Sequence, residues 1–549
     1  MKAISALGMT ALAAAVLASP AATADARHQA AIAGQVSSDA EGAMEGVVVT
    51  AHKDGSIVSV SVTTDESGHY AFPENRLEPG RYTLAARAVG YDLAAPATAQ
   101  LAEDDPVVVN LKLVPTKNLP GELTNAEWMM SIPGTDGQKA FLLDCTSCHT
   151  MERIVLSTHD TDEWMSVISR MKGYGNVSQP IKPQPMLDRA RAGAPAQFHD
   201  AAAYLSTINL SAVDRWAYPL KTLPRPAGDS TRVIVTEYKL PRPTIEPHDI
   251  VLDKDGNVWY TDFGEQFISK FDPHTLKLTE YPIKTFKPDA PVGLLSLQFD
   301  KQGRLWFDTM YQGVIGTLDP GTGALKYYPL PPQWNDVRMQ LNFVGLRHDV
   351  DGKVWTKNVG TQDIYRLDLK TGQWERFHPT DALPPGHRYS IYQVLSDSHN
   401  NLWMAEFADG HLGKIDAKTL KVTWYAPPTA HARLRRMEID GHDRITVTEY
   451  RGNKVAVFDP GTEKFTEYPL PPDTFPYRAD FDDKGDIWVS TMSTDRVLRI
   501  DPNTGKTDQY LMPSDTNMRT VEVDNRTVPV SFWVGSNHDA ALVHVEPQD

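Results

Sequence analysis

Two cysteines in 549 residues are too few for a disulfide framework. They stand three positions apart, Cys145 and Cys148, so no second pair exists to complete a four-cysteine zinc site. Basic side chains are in deficit too: 54 Lys and Arg against 70 Asp and Glu, a net charge of −16. That balance argues against non-specific binding to nucleic acid or to an anionic membrane surface. Nowhere does the chain hold 18 consecutive apolar residues, so no integral membrane segment is expected after processing. A chain of this length without cross-links must be held by several large cores, and its length suggests three or four domains.

At the start, Lys2 precedes an alanine-rich apolar run over 3–18, and Ala22-Thr23-Ala24 offers small residues ahead of Asp25. This is the layout of a secretory signal peptide over 1–24, and it predicts a periplasmic or secreted protein. The cysteine stretch reads Cys145-Thr146-Ser147-Cys148-His149. C-x-x-C-H is the attachment signature of a c-type haem. The two thiols add to the two vinyl groups of one porphyrin, and the next residue places an imidazole under the iron. A redox dithiol would give the adjacent histidine no role. One covalent haem c on Cys145, Cys148 and His149 is therefore expected, and export agrees with it.

Residues 28–115 read as a small all-β domain. Strands of period two, such as Ser59-Val60-Ser61-Val62-Thr63, alternate with turns such as Asp65-Glu66-Ser67-Gly68. The stretches "GVVVTA", "VTTDESGHYAFP" and "LEPGRYTLAARAVGY" resemble the carboxypeptidase regulatory-like domain, a transthyretin-like β-sandwich. The resemblance implies a structural or docking module without catalytic residues.

Residues 121–215 are mostly helical in pattern. Gly137 to Leu143 leads into the C-x-x-C-H, Asp162-Glu163-Trp164-Met165 opens an amphipathic helix through Val167, Ile168 and Met171, and Asp200 to Leu205 forms a closing helix. This arrangement resembles the class I cytochromes c, an α-helical cytochrome c domain. Methionine sulfur as distal ligand makes a closed electron-transfer site. Met171, 22 residues after His149 and ahead of Lys172-Gly173-Tyr174-Gly175, is the choice for that metal position. Met151, Met165, Met186, His159 and His199 compete with it.

From Arg232 onward, over 232–549, the chain repeats. Six copies of the type "DIVLDKDGNVWYTDFGEQFISKFDPHTLKLTEYPI" are followed by a degenerate seventh over about 520–545. Trp259, Trp306, Trp355, Trp403 and Trp488 mark one position, read as packing. Each copy holds four short strands, one blade of a β-propeller. Val233 to Tyr238 reads as the orphan outer strand that completes the seventh blade. The fold class is thus multidomain and mainly β: a small β-sandwich, an α-helical cytochrome c domain and a seven-bladed β-propeller.

The blade text resembles virginiamycin B lyase, the streptogramin lyase family of seven-bladed propellers. Eleven before the blade mark stand His248, Leu295, Val344, Tyr392, Arg435 and Tyr477; three after it stand Asp262, Thr309, Asn358, Glu406, Glu449 and Thr491. Such variation on a constant frame predicts a ligand funnel with Tyr392, Glu406, Arg435 and Glu449 at its mouth. Arg435 and Glu449 are expected to meet there. The lyase resemblance implies catalytic His248, in Glu246-Pro247-His248, as general base, with Glu246 or Asp262 as contacts of a magnesium ion. Asp262 is a methylene shorter than the family's glutamate, and Arg519 stands where the family has a further histidine. The expected function is an exported haem c protein that transfers electrons. Its propeller would bind a redox partner protein or a small-molecule substrate, as in an oxidoreductase. The alternative is a lyase-like ring opening at the funnel, with the cytochrome segment accessory.

Overall fold

The computed structural model describes residues 30–548 apart from 104, 147, 188–195, 212–215, 336–340, 343–345 and 384–388. The expected signal peptide lies outside the described residues, as does Val344.

The first domain is a two-sheet sandwich. One sheet holds Ala30–Ser38 between His69–Pro73 and Leu111–Pro115; the other holds Val58–Thr63, Val48–Lys53, Gly80–Arg87 and Ala97–Leu101. Alternation does what period two requires: Tyr82 and Leu84 turn inward with Ile32, Val49 and Phe72. The predicted turn is built by Asp65, whose Oδ1 accepts the N–H groups of Ser67 and His69, both at 2.9 Å. Gly68 closes it at φ +71°, where a Cβ would lie 2.7 Å from the Val36 carbonyl oxygen.

Seven four-stranded antiparallel units form the propeller. Six are continuous in sequence. The seventh takes Met518–Asp524, Ser531–Ser536 and Ala541–Pro547 from the far end and Val233–Lys239 from the near end, with Thr236 opposite His544. The ring closes as the orphan strand predicts. The other edge of Val233–Lys239 then pairs with Val58–Thr63, Thr236 opposite Val60. Blade and sandwich thereby share one eight-stranded sheet, which buries an edge the sequence leaves open.

The blade tryptophans pack, and they also fix the turn before them. Trp259, Trp306, Trp403 and Trp488 donate Nε1–H to Asp253, Asp300, Asp397 and Asp482, each six residues earlier, at 2.9–3.0 Å. Each aspartate also accepts backbone N–H groups of its own turn, as Asp397 does from His399 and Asn401.

Over 121–215 the helices are short, which corrects the expectation of a mostly helical segment. They are Asn125–Ser131, Asp136–Lys139, Leu142–Cys145, Met151–Val155, Thr161–Gly173 and His199–Leu205. Thr161–Gly173 begins at a capping box in which Asp160 and Glu163 satisfy each other's backbone N–H. The core of this segment runs on into the propeller. Trp128, Met151, Trp164 and Leu205 pack in one cluster with Tyr450, Tyr477 and Met492 of the propeller. No helix among the described residues is long and apolar enough to cross a membrane.

Candidate functional site

Two constellations hold the candidate residues. The first is a cavity of about 620 Å³ whose lining comes entirely from 141–205. Cys145 reaches it from the end of Leu142–Cys145, and Cys148 and His149 from the turn that follows. Met171 reaches it from the last turn of Thr161–Gly173. Phe141, Trp164, Val167, Ile168 and Leu205 supply apolar walls. Arg153, Arg170 and Lys172 also line it, and among the described residues no carboxylate does. The His149 Nδ1 lies 3.2 Å from the Thr150 carbonyl. That contact assigns the proton to Nδ1 and leaves Nε2 as the lone-pair nitrogen. Burial holds the ring below the ordinary histidine value.

The rival distal ligands separate by position. His159 lines the cavity but its ring sits edge-on against Trp164 at 4.9 Å. Met151 is fully buried in the helical core, Met165 packs against that core, and Met186 and His199 are exposed away from the lining. Met171 shares the cavity with both cysteines and His149 and is 41% exposed.

The second constellation lies on the propeller axis, and it is closed. Segment 121–215 covers the mouth, held by loops of the first, second, sixth and seventh blades. Gln179 and Gln184 donate to the carbonyls of Thr244 and Gly264 at 2.7 and 3.0 Å, and Lys182 pairs with Glu265 at 2.8 Å. Tyr311 donates to Asn176, the Ala126 N–H to the Ser493 carbonyl, and Asn517 to the Thr146 carbonyl. Among the described residues, the mouth of the expected ligand funnel is thus covered by this segment.

Beneath it runs a hydrogen-bonded chain. Tyr392 donates to Tyr477 at 3.3 Å, the Tyr477 hydroxyl meets His248 Nε2 at 3.3 Å, and His248 Nδ1 meets Asp249 at 2.7 Å. Arg436 completes it on Asp249 at 3.1 and 3.2 Å. His248 is 1% exposed, and burial drives its ring down to about 3. A neutral ring that donates to Asp249 and accepts from Tyr477 is a poorer base than the near-neutral imidazole expected. Burial alone would raise the Tyr392 phenol, but the Arg435 and Arg436 guanidiniums bring it below its ordinary value. Arg435 does not meet Glu449. It stands among the rings of Tyr450, Tyr477, Tyr392 and Phe407, 4.4–5.5 Å from their centroids.

Two of the three carboxylates three after the blade mark, Glu406 and Asp262, cap the loop that follows, because that position ends the second strand. Glu406 accepts four backbone N–H groups, from Ser390, Ala408, Asp409 and Gly410. Asp262 Oδ1 accepts three, from Glu246, Gly264 and Glu265. Glu449 has neither oxygen partnered, and burial with the Glu467 carboxylate pushes it up to about 8. Glu246 Oε2 and Asp262 Oδ2 are likewise buried without partners; burial and the Asp262 charge push Glu246 up to about 8, and burial pushes Asp262 up to about 7.

These residues do not fit a magnesium ion. Two carboxylates are short of a ligand set, Asp262 is committed to its turn, and Arg519 acts on Glu246 as a nearby cation. Among the described residues no group of three or more His, Cys, Asp or Glu side chains is placed to hold a metal. Asp249, Arg436 and Tyr477 complete the axial chain. Tyr477 was legible as a position that varies between blades; Asp249 and Arg436, one residue beyond the compared position, gave no such signal.

Residues 31–114 match the carboxypeptidase regulatory-like domain family. No curated protein matches the chain. Among solved structures, a streptogramin B lyase is similar at 21% identity over 59% of this chain and 100% of that one, with a TM-score of 0.50. Virginiamycin B lyase from Staphylococcus aureus aligns at 21% identity over 57% of this chain and 99% of its own, with a TM-score of 0.47. At such identity the likeness to streptogramin B lyase is one of fold.

Proposed function

We propose that segment 121–215 carries one covalent haem c and that this exported chain transfers electrons, with the propeller as the platform that seats the haem segment. One observation carries the reading: Cys145, Cys148, His149 and Met171, up to 26 residues apart in sequence, line a single cavity. The residues fit the group. A volume of about 620 Å³ with aromatic and aliphatic walls suits a large planar cofactor. Arg153, Arg170 and Lys172 in the lining suit its two acid groups. Cys145 and Cys148 would hold the group covalently, and His149 Nε2 and the Met171 sulfur would hold its iron. Bound there, the haem supplies a one-electron couple. The chain's own part is to keep His149 in one tautomer through Thr150, to exclude water with Trp164 and Phe141, and to hold the segment against the propeller.

The test is expression to the periplasm with the haem-maturation machinery, then denaturing electrophoresis with a haem-peroxidase stain. A stained band at full length that survives acid acetone and disappears in Cys145→Ser with Cys148→Ser is expected. An unstained protein under those conditions overturns the reading.

The ring-opening reading has one observation in its favour, the hydrogen-bonded His248–Asp249 pair on a lyase-like propeller. It asks a bulky substrate to reach a histidine sealed under 121–215. Magnesium-dependent opening of a streptogramin B ring by the intact protein, lost in His248→Ala, would establish it against the electron-transfer reading.

A further inference from the structure

Tyr311 carries the second blade to the wall of the cavity that holds Cys148 and Met171. It stands in a single turn, Met310–Gln312, and is 3% exposed. That turn is fixed from inside the propeller. The Gln312 carboxamide accepts the N–H groups of Phe286 and Lys287 at 2.8 and 2.7 Å and donates to the Pro291 carbonyl at 3.0 Å. Tyr311 shares a core cluster with Phe263 and Leu295 of the propeller and Val177 and Leu187 of segment 121–215.

The Tyr311 hydroxyl donates to the Asn176 side-chain oxygen at 2.8 Å. Gly175 lies against the same ring: a Cβ there would fall 2.8 Å from the hydroxyl oxygen and 2.9 Å from the carbon that bears it. Asn176 faces two ways. Its side chain is held by Tyr311, and its backbone carbonyl faces the Cys148 thiol at 4.0 Å. On the other side the turn is tied to the end of the helix Thr161–Gly173, where the Tyr174 N–H donates to the Met171 carbonyl at 3.1 Å. Tyr174, Gly175 and Asn176 line the cavity together with Met171 and Cys148.

We infer that Tyr311 is a positioning residue for the haem ligands: through Asn176 it fixes the turn that follows Met171 and meets Cys148. The inference rests on the reading of 121–215 as a haem segment. Groups that orient the ligands of a metal govern how firmly those ligands hold it. Here that group belongs to the propeller, so the second blade sets the hold of the Met171 sulfur.

The test compares the full haem-loaded chain with Tyr311→Phe, which keeps the ring and removes the hydroxyl. Carbon monoxide binding to the reduced protein reads how firmly the sulfur is held. Tyr311→Phe should speed that binding about tenfold, the size of one lost hydrogen bond, with haem staining unchanged. Asn176→Ala should do the same, and the double variant should gain no more than either alone, because both remove one bond. Asn176→Asp, which keeps an acceptor for the phenol, should bind carbon monoxide as slowly as the parent. Should Tyr311→Phe fail to fold, Asn176→Ala decides, since Asn176 is exposed. In the haem-free full chain, under reducing conditions, iodoacetamide should modify Cys148 several-fold faster in Tyr311→Phe, with Cys145 unchanged. Stained proteins that bind carbon monoxide at equal rates overturn the inference and leave the haem reading standing. Equal Cys148 modification in the two haem-free chains overturns it as well. An unstained parent overturns the haem reading and, with it, the role of Tyr311 toward the haem.

Discussion

The side-chain amide of Asn517, in the seventh blade, donates to the backbone carbonyl of Thr146 at 3.1 Å. Thr146 lies between the two cysteines, so the propeller holds the peptide on which the proposed haem attachment depends. His538 meets the same amide at 3.0 Å and is kept neutral by burial, which drives it down to about 3.

Asn517→Ala should therefore loosen segment 121–215 without unfolding the ring. The loss is about 1 kcal/mol for the bond. Hydrogen exchange should quicken several-fold over 142–151 and stay unchanged in the blade strands. Equal exchange in both proteins would show that Asn517 does not hold the loop.

Met171→Ala should lower the potential of the haem-loaded protein and remove its weak near-infrared sulfur-to-iron band. Met186→Ala should leave both intact, because Met186 lies outside the cavity lining. The reverse pattern would move the ligand to Met186.

The contact between 179–184 and the first blade should weaken as pH rises. Glu246, beneath Gln179, has its folded value raised from 4.5 to about 8. A raised carboxyl stabilises the folded state fully below the unfolded value and loses that contribution as pH climbs through the folded one. Melting temperature should fall between about pH 5 and pH 9. In Glu246→Gln, which keeps the shape and cannot ionise, the fall should be shallower. Parallel curves would rule Glu246 out.

Trp403→Phe should cost about 1–3 kcal/mol, because it removes the bond to Asp397 and part of a fully buried ring. Chemical denaturation reads this directly, and a cost under half a kilocalorie would deny the tryptophan its turn-fixing role.

Thr236→Pro should do more than a strand substitution elsewhere. Thr236 stands opposite both His544 and Val60, so a proline there disrupts ring closure and the sandwich joint together, at about 3 kcal/mol or more. A single lowered unfolding transition is expected. Two separate transitions would show that sandwich and propeller unfold independently.

Local pattern settled much of the architecture. Period-two strands, D-x-x-G turns and, in four blades, a tryptophan bonded to the turn aspartate six residues earlier are all within reach of one hairpin, and short-range sterics and hydrogen bonds decide them. For that reason the sandwich, the blade repeat and the closing strand Val233 to Tyr238 could be read directly. The candidate site was legible only in part. Cys145, Cys148 and His149 are adjacent, so their chemistry is visible in the chain. Glu406 and Asp262 looked like funnel ligands because a carboxylate that caps its own loop and one that faces the axis look the same in sequence.

What the sequence by itself determined is the set of parts: an export-type start, a C-x-x-C-H, a sandwich and a blade repeat, whose six continuous copies are encoded by contacts within tens of residues. Only the tertiary structure decided how they join. The pairing of Thr236 with Val60, the seating of Asn517 on Thr146, and the burial of His248 under 121–215 link positions up to 371 residues apart. Such contacts leave no periodic trace, because each depends on which surfaces remain unburied once the local units have formed. A histidine on the inner strand of an open propeller is a candidate base. The same histidine beneath a docked segment is a neutral member of a buried hydrogen-bond chain, since desolvation removes the charge that base chemistry needs.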